Sequence, residues 1–461
     1  MAVIEASTGL HKTYSELNAD VERAVVALPQ RPTKCLALLL AQNRYACIVA
    51  YLAALRTGTA LMVTDASLHR ELLDGILKTY QPDLIFAACS QVAIPRYEKL
   101  APTSFEVWAR QEPCAPVQIH PQLALLLNTS GSTGSPKFVR LTLGNLHANA
   151  ASIAEYLGLT SDEKPITSLP MAYSFGLSVI NSHLLVGACL VLTEHGVLRR
   201  EFWDSVDRYA CTSFSGVPHT YQMLLQTGLL KKRGATLRTW TQAGGRLAES
   251  YVREMYELAL ERGGRFFVMY GQTEATARIA YVPFERLAFK PDSIGIAIPR
   301  GALRIDPTGE LIYEGPSVMM GYADRREDLR KGDELGGVLA TGDSARQDQD
   351  GFFQITGRRK RFLKLFGKRL NLDEVEQLIH QRTQVSAACY GHDDLLMVAL
   401  EGHKNPETVE TLLRQTLNLP SEAVQVFSVA ALPRTLSGKI DYPTLTTMSA
   451  AQPSPIRQVA R

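Results

Sequence analysis

The 461-residue sequence has no C-x-x-C pair, no surplus of one charge, no apolar run long enough to span a membrane, and no internal repeat or low-complexity tract. Each absence removes a class of protein. Its seven cysteines, Cys35, Cys47, Cys89, Cys114, Cys189, Cys211 and Cys389, are odd in number and scattered. Several lie in apolar runs such as Tyr45-Ala46-Cys47-Ile48-Val49, which predicts buried free thiols in a reducing compartment rather than disulfides or a zinc site. Lysine and arginine number 49 against 46 aspartates and glutamates, a net charge of +3. No nucleic-acid or membrane partner is therefore expected. Met1 to Thr13 carries no basic segment followed by an apolar core, so no secretory signal is expected and the reading is cytoplasmic.

What is present is material for a large core: 46% of residues are hydrophobic and 21% charged, within the ordinary globular range. A chain this long exceeds what one core usually serves, so two domains are expected. Up to Tyr270, short apolar runs alternate with amphipathic stretches. Strands are expected at 36–40, 83–87, 123–128, 189–193, 211–215, 237–242 and 265–270, and helices at 45–56, 145–157, 218–230 and 248–262. This rhythm predicts an α/β fold with largely parallel sheets flanked by helices. From Gly309 to Arg358, short runs among Gly, Asp and Pro turns predict a small barrel or meander. Beyond it, helices at 372–381 and 406–417 with strands at 386–390, 396–400 and 424–429 predict a small α+β domain. Arg358-Arg359-Lys360-Arg361 at the junction reads as a solvated turn or as an interdomain hinge.

After the strand expected at 123–128 comes Thr129-Ser130-Gly131-Ser132-Thr133-Gly134-Ser135-Pro136-Lys137. Gly131 and Gly134 let backbone N–H groups approach phosphate oxygens. The hydroxyls of Thr129, Ser130, Ser132 and Thr133 add donors, and Lys137 adds positive charge. A Ser/Thr/Gly-rich stretch alone is usually a surface loop, but the order T-S-G-S-T-G-x-P-K is far rarer. It does not match the Walker A pattern G-x-x-x-x-G-K-[ST], which sets a P-loop NTPase aside.

Further motifs recur along the chain: Ala243-Gly244-Gly245, Tyr270-Gly271-Gln272-Thr273-Glu274, Gly309-Glu310-Leu311 with Gly315 to Tyr322, Thr341-Gly342-Asp343, Gly357-Arg358, and Pro433 to Asp441 around Ser437-Gly438-Lys439. In this order they resemble the adenylate-forming superfamily of acyl-CoA synthetases, luciferases and peptide-synthetase adenylation domains. The resemblance implies a large adenylation domain over residues 1–357, a hinge at 358–360 centred on Lys360, and a mobile domain over 361–461. It implies ATP and Mg²⁺ as cofactors, with Tyr270 stacked on adenine beside Gly244, Gly245 and Gly271. Asp343 would hold the ribose, with Arg358 nearby. Thr129, Ser130, Thr133 and Thr273 would grip phosphates, and Glu274 would hold Mg²⁺. Lys439 would neutralise charge during adenylation, and Lys364 with Gly367 would serve the second half-reaction. Alone, Tyr270 would read as a core aromatic, Glu274 as a helix start, and Asp343 as a turn former.

The acid pocket implied by the resemblance is built from Tyr173, Phe175, Gly216, Val217, His219, Ala243 and Gln272, with Arg278 meeting a second polar group or serving as an ion-paired scaffold residue. These side chains suit an apolar, alicyclic or aromatic acid. Gly176 stands where amino-acid-selecting members carry Asp; without that carboxylate an α-ammonium would be buried unpaired, at roughly several kcal/mol. Tyr173 replaces a His common in acyl-CoA synthetases, and Phe138 replaces the Gly usual after the loop lysine. The sequence ahead of Thr13 is short for the family, and no carrier-protein motif follows Lys439, so a free-standing enzyme is expected. The activated acid is expected to pass to a thiol, either coenzyme A or a carrier-protein phosphopantetheine. The alternative is an amide ligase resembling coronafacate ligase, with an amino acid as acceptor. A non-catalytic nucleotide-binding relative is the remote alternative, since Lys439, Glu274 and Asp343 all match their motifs.

Overall fold

The computed structural model describes residues 1–29, 31–88, 94–100, 105–111, 117–128, 137–358, 361–365, 368–392, 395–402, 405–417, 419–420, 423–435 and 438–450. Side chains alternate across a strand, and the apolar run Leu36–Ala41 uses both faces. Ala37 and Leu39 pack with Ile48 and Tyr51 of helix Tyr45–Arg56, whereas Leu36 and Leu38 pack with Ile76 and Tyr80 of helix Arg70–Tyr80. A strand buried on both sides needs no polar alternation, which is why these runs are continuous.

Leu36–Ala41 lies in an eight-stranded sheet. Its centre is parallel: Leu36–Ala41 pairs with Ala60–Asp65 and Leu84–Ala87, and Ala60–Asp65 pairs with Leu123–Asn128. Its margins are antiparallel, formed by Phe138–Thr142 and Gly321–Ala323 on one side and by Glu106–Arg110 and Tyr97–Lys99 on the other. The five-stranded sheet repeats this plan, with Ser213–Gly216, Thr239–Gln242 and Arg265–Tyr270 parallel and two short antiparallel strands at its edge. The expected parallel character thus holds at the centres, where helical crossovers are long enough to return the chain in the same direction. One face of this second sheet buries Trp203, Phe214, Tyr221 and Trp240. The other packs Phe267 and Met269 against Ile153, Phe175 and Val179 of helices Leu143–Leu157 and Ser174–Leu185. The helix expected at 218–230 is two pieces, Pro218–Gln226 and Leu229–Lys232, because Gly228 between them has φ +65°.

The chain divides into two compact units. One comprises Met1–Arg304, Ile312–Ala340 and Gln349–Phe353; the other comprises Ile305–Leu311, Thr341–Asp348 and Gln354–Arg461. Strands Ala302–Ile305, Glu310–Glu314, Val338–Gln347 and Phe353–Arg358 form a four-stranded sheet where a small barrel or meander is expected. Further on, Ala387–His392, Leu395–Glu401 and Val424–Val429 form a three-stranded sheet. It shares a core with Val375, Ile379 and Leu413 of helices Leu372–Thr383 and Pro406–Leu417. Cys47, Cys189, Cys211 and Cys389 are buried free thiols and Cys35 is half-buried; Cys89 and Cys114 lie outside the described residues. No described helix is long and apolar enough to cross a membrane.

Arg140 ties the first sheet's margin to the segment that follows it. Its side chain is fully buried, and its guanidinium donates to the carbonyls of Met320, Tyr322 and Gly332 at 3.1–3.2 Å, to that of Lys331, and to Glu334. Gly321, directly opposite Arg140 in the ladder, has φ +131°, and a Cβ there would come within 2.7 Å of the guanidinium. Arg140→Met should strand those carbonyls and lower stability by about 3 kcal/mol. Glu334, half exposed, should cost under about 1 kcal/mol when changed to Gln. Urea unfolding followed by tryptophan fluorescence measures both, and equal effects would contradict the assignment.

Candidate nucleotide and acid site

The segment from Thr129 to Lys137 lies outside the described residues up to Pro136. Its last member, Lys137, places Nζ 3.8 Å from the centroid of the Tyr322 ring. Phe138 is wholly buried and meets Tyr80 edge-on at 5.2 Å. The residue that departs from the family pattern is thus used for packing.

The parallel strands Ser213–Gly216, Thr239–Gln242 and Arg265–Tyr270 end together, and the carboxyl ends of such strands are where α/β sheets take ligands. Gly216 leads into Val217, which is buried, and His219, which is half-buried in the first turn of helix Pro218–Gln226. Ala243 is buried, and Gly244 follows with φ +88°; a Cβ there would stand 2.6 Å from the Tyr173 hydroxyl and 3.3 Å from Val217. Glycine therefore lets Tyr173 close over this loop. The Gln242 amide donates to the Gly245 carbonyl at 2.9 Å and fixes the loop's far end.

The third strand runs into a strained turn. A side chain at Gly271 would overlap the Ala277 carbonyl, and the Ile279 amide returns to the Tyr270 carbonyl at 2.9 Å. Thr276 and Ala277 have φ +65° and +153°; such conformations cost non-glycine residues roughly 1–3 kcal/mol each and cluster at functional sites. The Thr276 hydroxyl, donating to the Ser317 carbonyl at 2.6 Å, helps hold them. On this turn Thr273 Oγ1 lies 3.2 Å from Ser174 Oγ, and Glu274 Oε1 accepts from the Tyr322 hydroxyl at 2.8 Å. Gln272 Nε2 is buried without a hydrogen-bond partner among the described residues. Ser174 and Tyr322 are positioning residues that sequence reasoning did not assign. Tyr322 was within reach, being part of the Gly321-Tyr322 motif, whereas nothing local marks Ser174.

The acid-binding candidates converge beneath these strand ends. Phe175 is buried and Arg278 is 2% exposed, its guanidinium 3.8 Å from the centroid of the Phe175 ring. Burial pushes the Tyr173 phenol upward, partly offset by Arg278, and pushes Tyr156 up to about 12. Among the described residues the electrostatic neighbours of Arg278 are phenols, so the ion-paired scaffold role considered from sequence finds no carboxylate partner there. A Cβ at Gly176 would collide with the Pro170 carbonyl, so this backbone has no room for the aspartate of amino-acid-selecting relatives.

The remaining candidates lie in the second unit. Asp343 is mostly buried, with Arg358 Nε 3.6 Å from its carboxylate, and the Gly342 amide donates to Glu310 at 2.9 Å. Lys439 is half-buried in a narrow reversal, where its carbonyl accepts from the Thr435 amide at 2.8 Å and Arg434 bridges Ile440. Lys364 is on strand Phe362–Leu365; Lys360 and Gly367 lie outside the described residues. Arg361 is not solvated. It donates to Asp373, to Glu376 at 2.7 Å and to the Cys389 carbonyl at 2.8 Å, and lies over Tyr442 at 4.6 Å.

The turn after the third strand thus brings an aromatic, a hydroxyl and a carboxylate together at the strand ends. Residues 1–323 match the AMP-binding enzyme family, and the chain belongs to it. It is 27% identical over 342 residues to 2-succinylbenzoate–CoA ligase of Bacillus subtilis (strain 168), covering 72% of this chain and 65% of that protein. It is 27% identical over 485 residues to fumosorinone synthetase of Cordyceps fumosorosea, covering 93% of this chain and 12% of that protein. The chain therefore spans less than two thirds of the length of these relatives. The solved structure of o-succinylbenzoate CoA synthetase from Bacillus subtilis with its acyl-adenylate intermediate has a TM-score of 0.74 at 22% identity, covering 96% of this chain and 94% of that one. That likeness establishes the α/β fold.

Gly176→Asp tests the pocket wall. It should lower the thermal midpoint and confer no activation of glycine or alanine. A variant of wild-type stability that activates either would contradict the assigned backbone contact.

Proposed function

We propose that this chain activates a carboxylic acid by joining it to AMP, with release of pyrophosphate, and then passes the acyl group to a thiol. The observation that carries the reading is the strained turn from Tyr270 to Arg278, which presents an aromatic, a hydroxyl and a carboxylate beside the acid-binding candidates. A carboxylate resists nucleophiles because it is anionic and has no good leaving group. In the first step its oxygen attacks the α-phosphorus of ATP, and the bond to the β-phosphate breaks. In the second, a thiolate attacks the acyl carbon and AMP departs with the bridging oxygen. Relatives of this chain include 2-succinylbenzoate–CoA ligase and indoleacetate–CoA ligase and an L-proline–carrier-protein ligase, which supports coenzyme A or a carrier phosphopantetheine as acceptor. An amino-acid amine is the competing acceptor, distinguished by product mass.

In this reading Tyr270 supports the adenine and Thr273 donates to phosphate oxygen, with Thr129, Ser130 and Thr133 completing the grip. Asp343 accepts from the ribose hydroxyls. Among the described residues no cluster of three or more His, Cys, Asp and Glu is arranged for a metal. A single carboxylate fits Mg²⁺, which keeps several waters and takes its other ligands from phosphates. Glu274 would hold it, with Tyr322 fixing one carboxylate oxygen, and the cation would neutralise phosphate charge. Lys439 stabilises charge building on the acid and α-phosphate oxygens. The division into 1–357, a hinge at 358–360 and a mobile 361–461 remains part of this proposal. In it, Lys439 serves the first pose and Lys364 the second.

Lys439→Ala should leave the thermal midpoint unchanged and abolish acid-dependent pyrophosphate exchange; near-wild-type exchange would refute its role. Tyr322→Phe should raise the Mg²⁺ needed for half-maximal exchange by about tenfold, as loss of a positioning hydrogen bond typically does. An unchanged Mg²⁺ requirement would sink the Glu274 assignment.

A further inference from the structure

We propose that Arg278 forms a subsite for a second acidic group on the activated acid, so that the preferred substrate is a dicarboxylic acid. This rests on the adenylation reading above. Arg278 is 2% exposed, and a guanidinium stays charged inside proteins. A buried cation without an anionic partner is strongly unfavourable. The phenols of Tyr156 and Tyr173 and the face of Phe175 compensate only in part. Its Nε, moreover, is buried with no hydrogen-bond partner among the described residues.

The same side chain lines a cavity of about 10 Å³ between the five-stranded sheet and helix Ser174–Leu185, together with Ser178, His183, Ser213, Ser215 and Thr241. That volume suits one oxygen atom or one water. Two further polar atoms on its wall, His183 Nε2 and Ser213 Oγ, have no hydrogen-bond partner among the described residues. Burial pushes His183 down to about 4, so the ring is neutral, and Nδ1, 2.8 Å from the Val179 carbonyl, carries the proton. The wall thus offers a charged donor, a hydroxyl and an acceptor. One oxygen of a distal carboxylate, or a water bound to it, completes the hydrogen bonding of Arg278 and Ser213, while a bridging water also satisfies His183. Tyr173 links this subsite to the acyl pocket, since it neighbours Arg278 electrostatically and its hydroxyl covers Gly244.

The test compares matched acids on the full chain: the series from glutaric to azelaic acid against monoacids in which one carboxylate is replaced by methyl, and 4-carboxyphenylacetate against 4-isopropylphenylacetate. Binding is read by calorimetry and activation by pyrophosphate exchange. At the best length the diacid should bind about tenfold or more tightly than its partner, and Arg278→Met should erase that preference. Arg278→Lys should keep part of it, and the wild-type pairs decide alone if Arg278→Met does not fold. Monoacids binding as well as diacids at every length, no acid binding at all, or a preference that survives Arg278→Met would overturn the subsite. Arg278-dependent diacid binding without exchange upholds the subsite and refutes adenylation. Exchange with monoacids alone upholds adenylation and overturns the subsite.

Discussion

Backbone meets backbone at Gly271, and the placement of the site's polar groups follows from that contact. The strand Arg265–Tyr270 reverses there with no space for a side chain against Ala277, and the chain rejoins the sheet at Ile279. The reversal forces Thr276 and Ala277 to positive φ, a strain the core around Ala275, Ile279 and Ile298 is rigid enough to hold. In exchange, the Tyr270 ring, the Thr273 hydroxyl, the Glu274 carboxylate and the buried Arg278 guanidinium are presented from nine consecutive residues. Catalysis by preorganised charge needs such groups fixed before the substrate arrives.

The second unit has its own fixed point. Arg361 stands directly after the junction, yet it is held by Asp373, Glu376, the Cys389 carbonyl and the Tyr442 ring. Glu376 raises the guanidinium's affinity for its proton against the opposing effect of burial, and Tyr442 donates to the same carboxylate at 3.0 Å. A mostly buried, multiply bonded arginine stiffens the segment that follows 358–360. Under the proposed hinge at 358–360, this anchoring would let residues 361–461 move as one piece, the reversal of Lys439 included.

Much of this was legible in the residue order. The boundaries expected for Tyr45–Arg56, Arg265–Tyr270, Pro406–Leu417 and Val424–Val429 coincide with the observed ones, because hydrophobic period and flanking turn residues agree there. The antiparallel margins were not legible: Tyr97–Lys99 and Gly321–Ala323 are three residues each, too short for a period to register. At the site, the motif residues announced themselves, but their supports did not. Ser174 reaches Thr273, and Tyr156 reaches Arg278, across long stretches of chain that only the tertiary fold brings together. Whether Arg278 was paired was likewise undecidable from sequence, since an ion-pair partner could have come from any distant segment.

The central claim is that ATP is cleaved between its α- and β-phosphates at the expense of a carboxylic acid. Phosphorus NMR of the full chain incubated with ATP, Mg²⁺, hydroxylamine as acyl acceptor, inorganic pyrophosphatase and a panel of acids reads the cleavage site directly. The account requires AMP to accumulate only when a suitable acid is present, with no ADP. Acid-independent ADP and orthophosphate, or intact ATP with every acid in a panel spanning mono- and dicarboxylates, would contradict it.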